Sequence, residues 1–154
     1  MSTVTTASVS THILDTSAGR PAESVAVSLS ARAGGREPWV VLGRSATDAD
    51  GRCKDLPALP EGTTHVRLDF ETEAYFHTQS HSHSHTHSHS QSDTESQSHT
   101  HAHQQAEAQQ DAPALRDSGA FFPEVAITFA VTPGEHFHVP LLLNPFGYSV
   151  YRGS

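Results

Sequence analysis

The chain is short of cysteine, of positive charge and of long apolar runs, and each shortage removes a class of protein. Cys53 is its lone cysteine, so no intrachain disulfide can staple the fold, which fits a reducing compartment. Lysine and arginine number 9 against 17 aspartates and glutamates, for a formal charge of -8. Such a chain lacks the basic surface that nucleic acid or an anionic membrane requires, so neither is expected as a partner. No apolar stretch approaches the roughly 20 residues needed to span a bilayer. The opening MSTVTTASVST has neither a basic nor an apolar segment, so no secretory leader is expected and the cytoplasm is the default location. A peroxisomal location, open if the source is eukaryotic, would find no serine-lysine-leucine type signal here.

Hydrophobic residues make up 35% of the 154, few for a globular domain. The deficit is local. A low-complexity segment at about 77–112, beginning HTQSHSHSHTHSHS, holds almost nothing apolar but nine of the 13 histidines. Without it roughly 120 residues of ordinary composition remain, enough for one small core. The expected organisation is a single domain over 1–154, interrupted by this insertion. The insertion lacks the apolar mass to offset the entropy of ordering, so it is expected as a solvated, disordered loop. In an extended chain its alternate imidazoles would project to one side about 7 Å apart and could share an adventitious zinc or nickel ion. No spaced Cys/His pairs define a closed tetrahedral site, so no built-in metal and no cofactor are expected.

The remainder reads as β-structure. Apolar residues alternate with polar ones at Val25, Val27, Leu29 and Ala31, and again at Val66, Leu68 and Phe70. The pattern recurs at Val125, Ile127, Phe129 and Val131, and at Phe137, Val139, Leu141 and Leu143. Alternation of this kind marks strands with one buried face. Shorter candidates are 9–14, 39–45 and 148–151, and turn chemistry such as Pro60-Glu61-Gly62 separates the runs. Seven or eight short strands imply an all-β sandwich or barrel. Only Thr72–Phe76 could start a helix, and a short one.

Four histidines lie outside the insertion: His12, His65, His136 and His138. In His136-Phe137-His138 both imidazoles share a strand face, ahead of the apolar run Val139-Pro140-Leu141-Leu142-Leu143. An imidazole at the mouth of such a strand can act as a general base, since it titrates near neutrality. The residues alone give a site without a substrate.

Four blocks sharpen the reading. Thr11-His12-Ile13-Leu14-Asp15-Thr16 with Gly19-Arg20-Pro21-Ala22 resembles the first strand of the transthyretin-like family, and Asp50-Gly51-Arg52 resembles its D-G-R turn. Phe121-Phe122-Pro123-Glu124-Val125 is similar to a later strand of the family, and HFHVPLLLNPFGYSVYRGS to its most diagnostic block. The closing Tyr151-Arg152-Gly153-Ser154 resembles the tetrapeptide of the urate-degrading hydrolase branch. The blocks stand in family order and span the chain apart from the insertion. Departures are small: Asn144 replaces a common serine, and Val150 a common threonine.

The resemblance implies a two-sheet sandwich of eight short strands with one short helix, assembled as a homotetramer with its site between dimers. It implies hydrolysis of 5-hydroxyisourate in urate degradation, with His12, Arg52 and His138 as catalytic set. His12, Arg52, Tyr151, Arg152, Gly153 and Ser154 would contact the substrate. A neutral imidazole, from His12 or His138, would take a proton from water, and the paired donors of Arg52 would hold the developing oxyanion. Two other readings stand beside this one. A transthyretin-type carrier of small ligands would lack the H-x-H pair and the terminal tetrapeptide, whereas a metal-buffering protein built on the insertion would leave the pocket residues without a purpose.

Overall fold

A computed structural model describes residues 5–85 and 119–154. Its strands are β1 (Ser8–Asp15), β2 (Arg20–Pro21), β3 (Ala26–Arg32), β4 (Val40–Ala46), β5 (Arg52–Cys53), β6 (His65–Phe70), β7 (Val125–Ala130), β8 (His136–Asn144) and β9 (Gly147–Val150), with one helix, α1 (Thr72–His85). They form two sheets. The first runs β2-β1-β8-β9, with β5 also on β1, and the second runs β4-β3-β6-β7. All pairings are antiparallel except β1 with β8, which is parallel.

The alternation in sequence is the alternation in burial. Val9, Thr11, Ile13 and Asp15 of β1 face inward, as do Val27 and Leu29 of β3, Val66, Leu68 and Phe70 of β6, and Leu141 and Leu143 of β8. Each fully buried Leu, Ile, Val or Phe contributes about 1.5–3 kcal/mol from water exclusion. The sandwich closes around them. The opposite face of β1 carries Ser8, Ser10 and His12, which stay half-buried.

Two buried polar groups on β1 are satisfied. Thr11 Oγ1 donates to the carbonyl of Val139 at 2.6 Å, tying β1 to β8. Asp15 accepts from the amides of Ser17 and Ala18 and from the hydroxyls of Ser17 and Tyr75. Burial opposes its ionisation, but these hydrogen bonds outweigh burial and hold the carboxyl below its usual range. The same environment pushes the Tyr75 phenol upward, by burial first and then by its bond to Asp15. Tyr75 thereby fastens α1 to the end of β1.

The all-β sandwich with one helix stands, and three details differ from expectation. Among the described residues there are nine strands rather than eight, and the first sheet has five rather than four. The surplus comes from β2 and β5, two-residue pieces laid end to end along one edge of β1. The helix is also longer than Thr72–Phe76 and continues to His85, so the opening of the histidine-rich segment is helical rather than loop. Tyr75 and Phe76 bury themselves in the core and anchor the first turn, Glu73 favours its N-terminus, and no glycine or proline follows before Pro113 to stop it. The remainder of the segment expected as a disordered loop lies outside the described residues.

Candidate active site

The polar face of the first sheet gathers the candidate residues by ladder register. His12 stands opposite Arg52 on β5, and Ser8 and Ser10 stand opposite His136 and His138 on β8. Side chains on one face of paired strands lie about 5 Å apart, so these positions converge although their chain positions differ widely. Arg52 is delivered by a tight turn. Asp48 accepts from the amides of Asp50 and Arg52, and Gly51 between them has φ of 77°. A Cβ at residue 51 would collide with the carbonyl of Ile13. Only glycine lets this turn press against β1.

An open cavity of about 280 Å³ is lined by Ser10, Thr11, Arg52, Lys54, His136 and His138. Its floor is a hydrogen-bonded chain. Ser8 Oγ lies 2.7 Å from Nδ1 of His136, whose Nε2 lies 2.8 Å from Ser10 Oγ. Ser10 Oγ in turn lies 2.8 Å from Nδ1 of His138. The other ring nitrogen of His138, Nε2, has no hydrogen bond among the described residues. Burial lowers the His138 pKa from the usual imidazole value, and the charges of His12, Arg52 and His136 lower it further. It is therefore a neutral imidazole near pH 7, and in the tautomer protonated at Nδ1 its Nε2 lone pair is open to a substrate. Arg52 is exposed and has no ion pair within 4 Å among the described residues, so its guanidinium is open to an incoming anion.

Of the expected residues, Arg52 and His138 line the cavity. His12 does not line it, but its charge acts on His138 from the adjacent rung. Gly153 comes against His138 from the other side: its amide donates to the His138 carbonyl at 2.7 Å. A Cβ there would stand 2.8 Å from Cδ2 of His138 and 3.2 Å from Cγ of Pro140, so any side chain at this position would push the His138 ring aside. Tyr151 and Arg152 are not brought into this cavity. They line a separate hollow of about 270 Å³ beside Phe129, Phe137 and Val139, where Arg152 lies over the Phe137 ring and pairs with Glu135. Ser154 is exposed.

Sequence reasoning did not single out Ser8, Ser10 or Lys54; it named His136 with His138 as a possible base, and the family resemblance gave His136 no part. Alternation places Ser8, Ser10 and His12 on one face, which was a usable signal. Their pairing with β8 was not, because no local pattern reports a partner 128 positions away. Among the described residues, no group of three or more His, Cys, Asp or Glu side chains is arranged to hold a metal ion.

Comparison with known proteins places the chain in a family. Residues 9–153 match the HIUase/Transthyretin family. The chain is 35% identical, over 95% of its length, to a uric acid degradation bifunctional protein of Arabidopsis thaliana, of which it spans 37%. It is 30% identical to a 5-hydroxyisourate hydrolase of Mus musculus, covering 95% of this chain and 94% of that one. Among solved structures, a 5-hydroxyisourate hydrolase of Klebsiella pneumoniae is 32% identical, with a TM-score of 0.57, over 95% of this chain and 98% of that one.

Proposed function

This chain belongs to the HIUase/Transthyretin family, and on that premise we propose that it hydrolyses 5-hydroxyisourate, a step of urate degradation toward allantoin. The observation that carries the reading is one sheet face on which a neutral imidazole, His138, shares a cavity with the unpaired guanidinium of Arg52. A binding protein has no need of a base with an uncommitted lone pair. A hydrolase does.

Water adds to a ring carbonyl of the substrate while Nε2 of His138 takes its proton. Charge then builds on the carbonyl oxygen, where Arg52 offers two parallel donors. Collapse breaks the ring C–N bond, the departing nitrogen takes a proton, and a carboxylate with a ureido group results, the product 2-oxo-4-hydroxy-4-carboxy-5-ureidoimidazoline. His12 acts on His138 electrostatically, adding to the pressure that keeps it neutral. Lys54 adds a second cation to the cavity wall, suited to an oxygen-rich substrate. The scheme calls for no metal.

The assembly belongs to the same proposal. A cavity open on one sheet face cannot exclude water, and exclusion strengthens every electrostatic term in the site. We therefore infer that a homotetramer closes the cavity between dimers, where Tyr151, Arg152 and Ser154 would complete it. An ultraviolet assay of 5-hydroxyisourate decay, with and without chelator, tests the function. Accelerated decay, unaffected by chelator, is the expected result; decay no faster than the spontaneous rate would overturn it. Sedimentation at assay concentration tests the tetramer, and an active monomer would remove it from the scheme.

A further inference from the structure

The hydrogen-bonded row beneath the cavity does more than hold His138 in place. We propose that Ser8, His136 and Ser10 form a proton relay that joins Nδ1 of His138 to solvent, an inference that rests on His138 being the base in the reaction above.

Chemistry supplies the need. Ring opening of this substrate yields a carboxylic acid, which ionises at neutral pH, and a ureido nitrogen, which is not basic. Each turnover thus releases one proton net. His138 receives a proton at Nε2, on the substrate side, and a closed cavity offers no bulk water to remove it. The three contacts of 2.7, 2.8 and 2.8 Å run unbroken from Nδ1 of His138 to Ser8. Ser8 and His136 mark the solvent end, where the chain's bonds are exposed, while the Ser10–His138 link is part-buried.

Proton counting then fixes how the row works. Each hydroxyl and each neutral imidazole carries one mobile proton, so a continuous row has two polarities. In the first, Nδ1–H of His138 donates to Ser10, the Ser10 hydroxyl donates to Nε2 of His136, and Nδ1–H of His136 donates to Ser8. Nε2 of His138 is then the free base. During attack it takes a proton from water and returns it to the departing nitrogen. It then takes the proton of the new carboxylic acid, every proton in the row moves one place outward, and the Ser8 hydroxyl proton passes to solvent. The row now has the second polarity, with Ser8 donating to His136, His136 to Ser10, and Ser10 to His138. One proton has left, no bond except those to hydrogen has changed, and His138 is neutral again. After the carboxylate leaves, Nε2 of His138 gives its proton to water entering the vacated cavity while Ser8 takes one from solvent, so every proton in the row moves one place back and the first polarity is restored. Ser8, His136 and Ser10 touch no substrate in this scheme and are positioning residues.

The test joins two readouts on the full-length protein. Nitrogen-15 NMR of the ring nitrogens reports tautomers without any substrate. The row requires like tautomers, both Nδ1–H or both Nε2–H, and unlike tautomers at His136 and His138 would overturn it. Kinetics supply the second readout. Ser10→Ala and His136→Ala should each lower kcat by about 10- to 100-fold, with KM little changed. Ser10→Thr, which keeps the hydroxyl, should retain most of the rate. Added imidazole should restore His136→Ala in proportion to its concentration and leave the parent unaffected. Parent-like kcat in both alanine variants, or a loss that imidazole does not lift, would show that the row only packs. A parent that fails to hydrolyse 5-hydroxyisourate would instead refute the proposed function, and the tautomers would still decide whether the row exists.

Discussion

The two sheets turn opposite kinds of polar face to the outside. On the first, Ser8, Ser10, His12, His136 and His138 present hydroxyls and imidazoles. On the second, Arg32 and Arg67 lie over the Trp39 ring at 4.3 and 4.9 Å, and Arg67 also pairs with Asp69. Both faces follow from the same alternation, and both sit on strands of similar length. The second commits Arg67 to Asp69 and lays the guanidiniums of Arg32 and Arg67 on an aromatic face, which makes a surface. The first leaves one nitrogen and one guanidinium uncommitted beside a cavity, which makes a site. Alternation therefore says where polar groups go, and pairing decides whether they are free to react.

Matched substitutions on the two faces test that contrast. The largest effect is expected from His138→Ala, a loss of about 10²–10⁴-fold in kcat if the imidazole is the base. His65, the outward imidazole of the second sheet, has its Nδ1 2.7 Å from the Thr64 hydroxyl and lines no described cavity, so His65→Ala should leave kcat within about twofold. Equal losses at both histidines would end the distinction. Next comes Arg52→Ala, for which a fall of about 10²–10³-fold is expected, roughly 3–4 kcal/mol of transition-state binding. Arg67→Ala should instead keep the rate and lower stability by about 0.5–1 kcal/mol, read by chemical denaturation. Lysine at 52 should recover little, since a point charge lacks the paired donors.

A pH series sharpens the comparison further. The active form of His138 is unprotonated, and its folded pKa lies below the ordinary imidazole value because burial and then neighbouring charge penalise the cation. Activity should therefore hold as pH falls through about 6.5 and decline only at a lower pH. Stability carries the same sign. Between the unfolded and the folded pKa the unfolded chain binds more protons at this residue, so stability should drop as pH descends through that window. An acid limb at or above 6.5 would contradict the environment described for His138. The smallest effect concerns the insertion. Replacing residues 86–112 with a short polar linker should leave turnover within about threefold, because connection length costs only about 0.6 kcal/mol per doubling. Retention on immobilised nickel should fall sharply in that variant, where clustered imidazoles are the expected ligands.

What could be read in the sequence was whatever repeats at period two. The runs at β3, β6, β7 and β8 announce themselves through Val27, Leu68, Ile127 and Leu141 and their neighbours, and the structure places each within a residue or two. The pieces β2 and β5 could not be read, since two residues display no period. The extent of α1 was hidden for a different reason: its second half is serine and histidine, which carry no apolar stripe. In the site, His12, Arg52 and His138 were reachable through resemblance to a family. Ser8, Ser10 and Lys54, and the part His136 plays, needed the strand register. Tyr151 and Arg152 were grouped with the pocket through resemblance to the hydrolase tetrapeptide, and in a single chain they meet a different hollow, because they lie past the end of β9.

The parallel ladder between β1 and β8 also sets a clock. Its partners, from Ser8 with His136 to Asp15 with Leu143, come from near the two ends of the described chain, and the site lies across that seam. A growing polypeptide makes β1 long before β8 and must hold it without its principal neighbour until β8 emerges. Contacts this distant in sequence are slow to close and leave an edge open meanwhile. The reactive face is thus among the last features to mature, and a chain that stops short of His136 carries half a site with no row of hydrogen bonds beneath it. Protease resistance of a nascent chain, followed as translation proceeds, should switch on abruptly after β8 and β9 are released rather than rise with length.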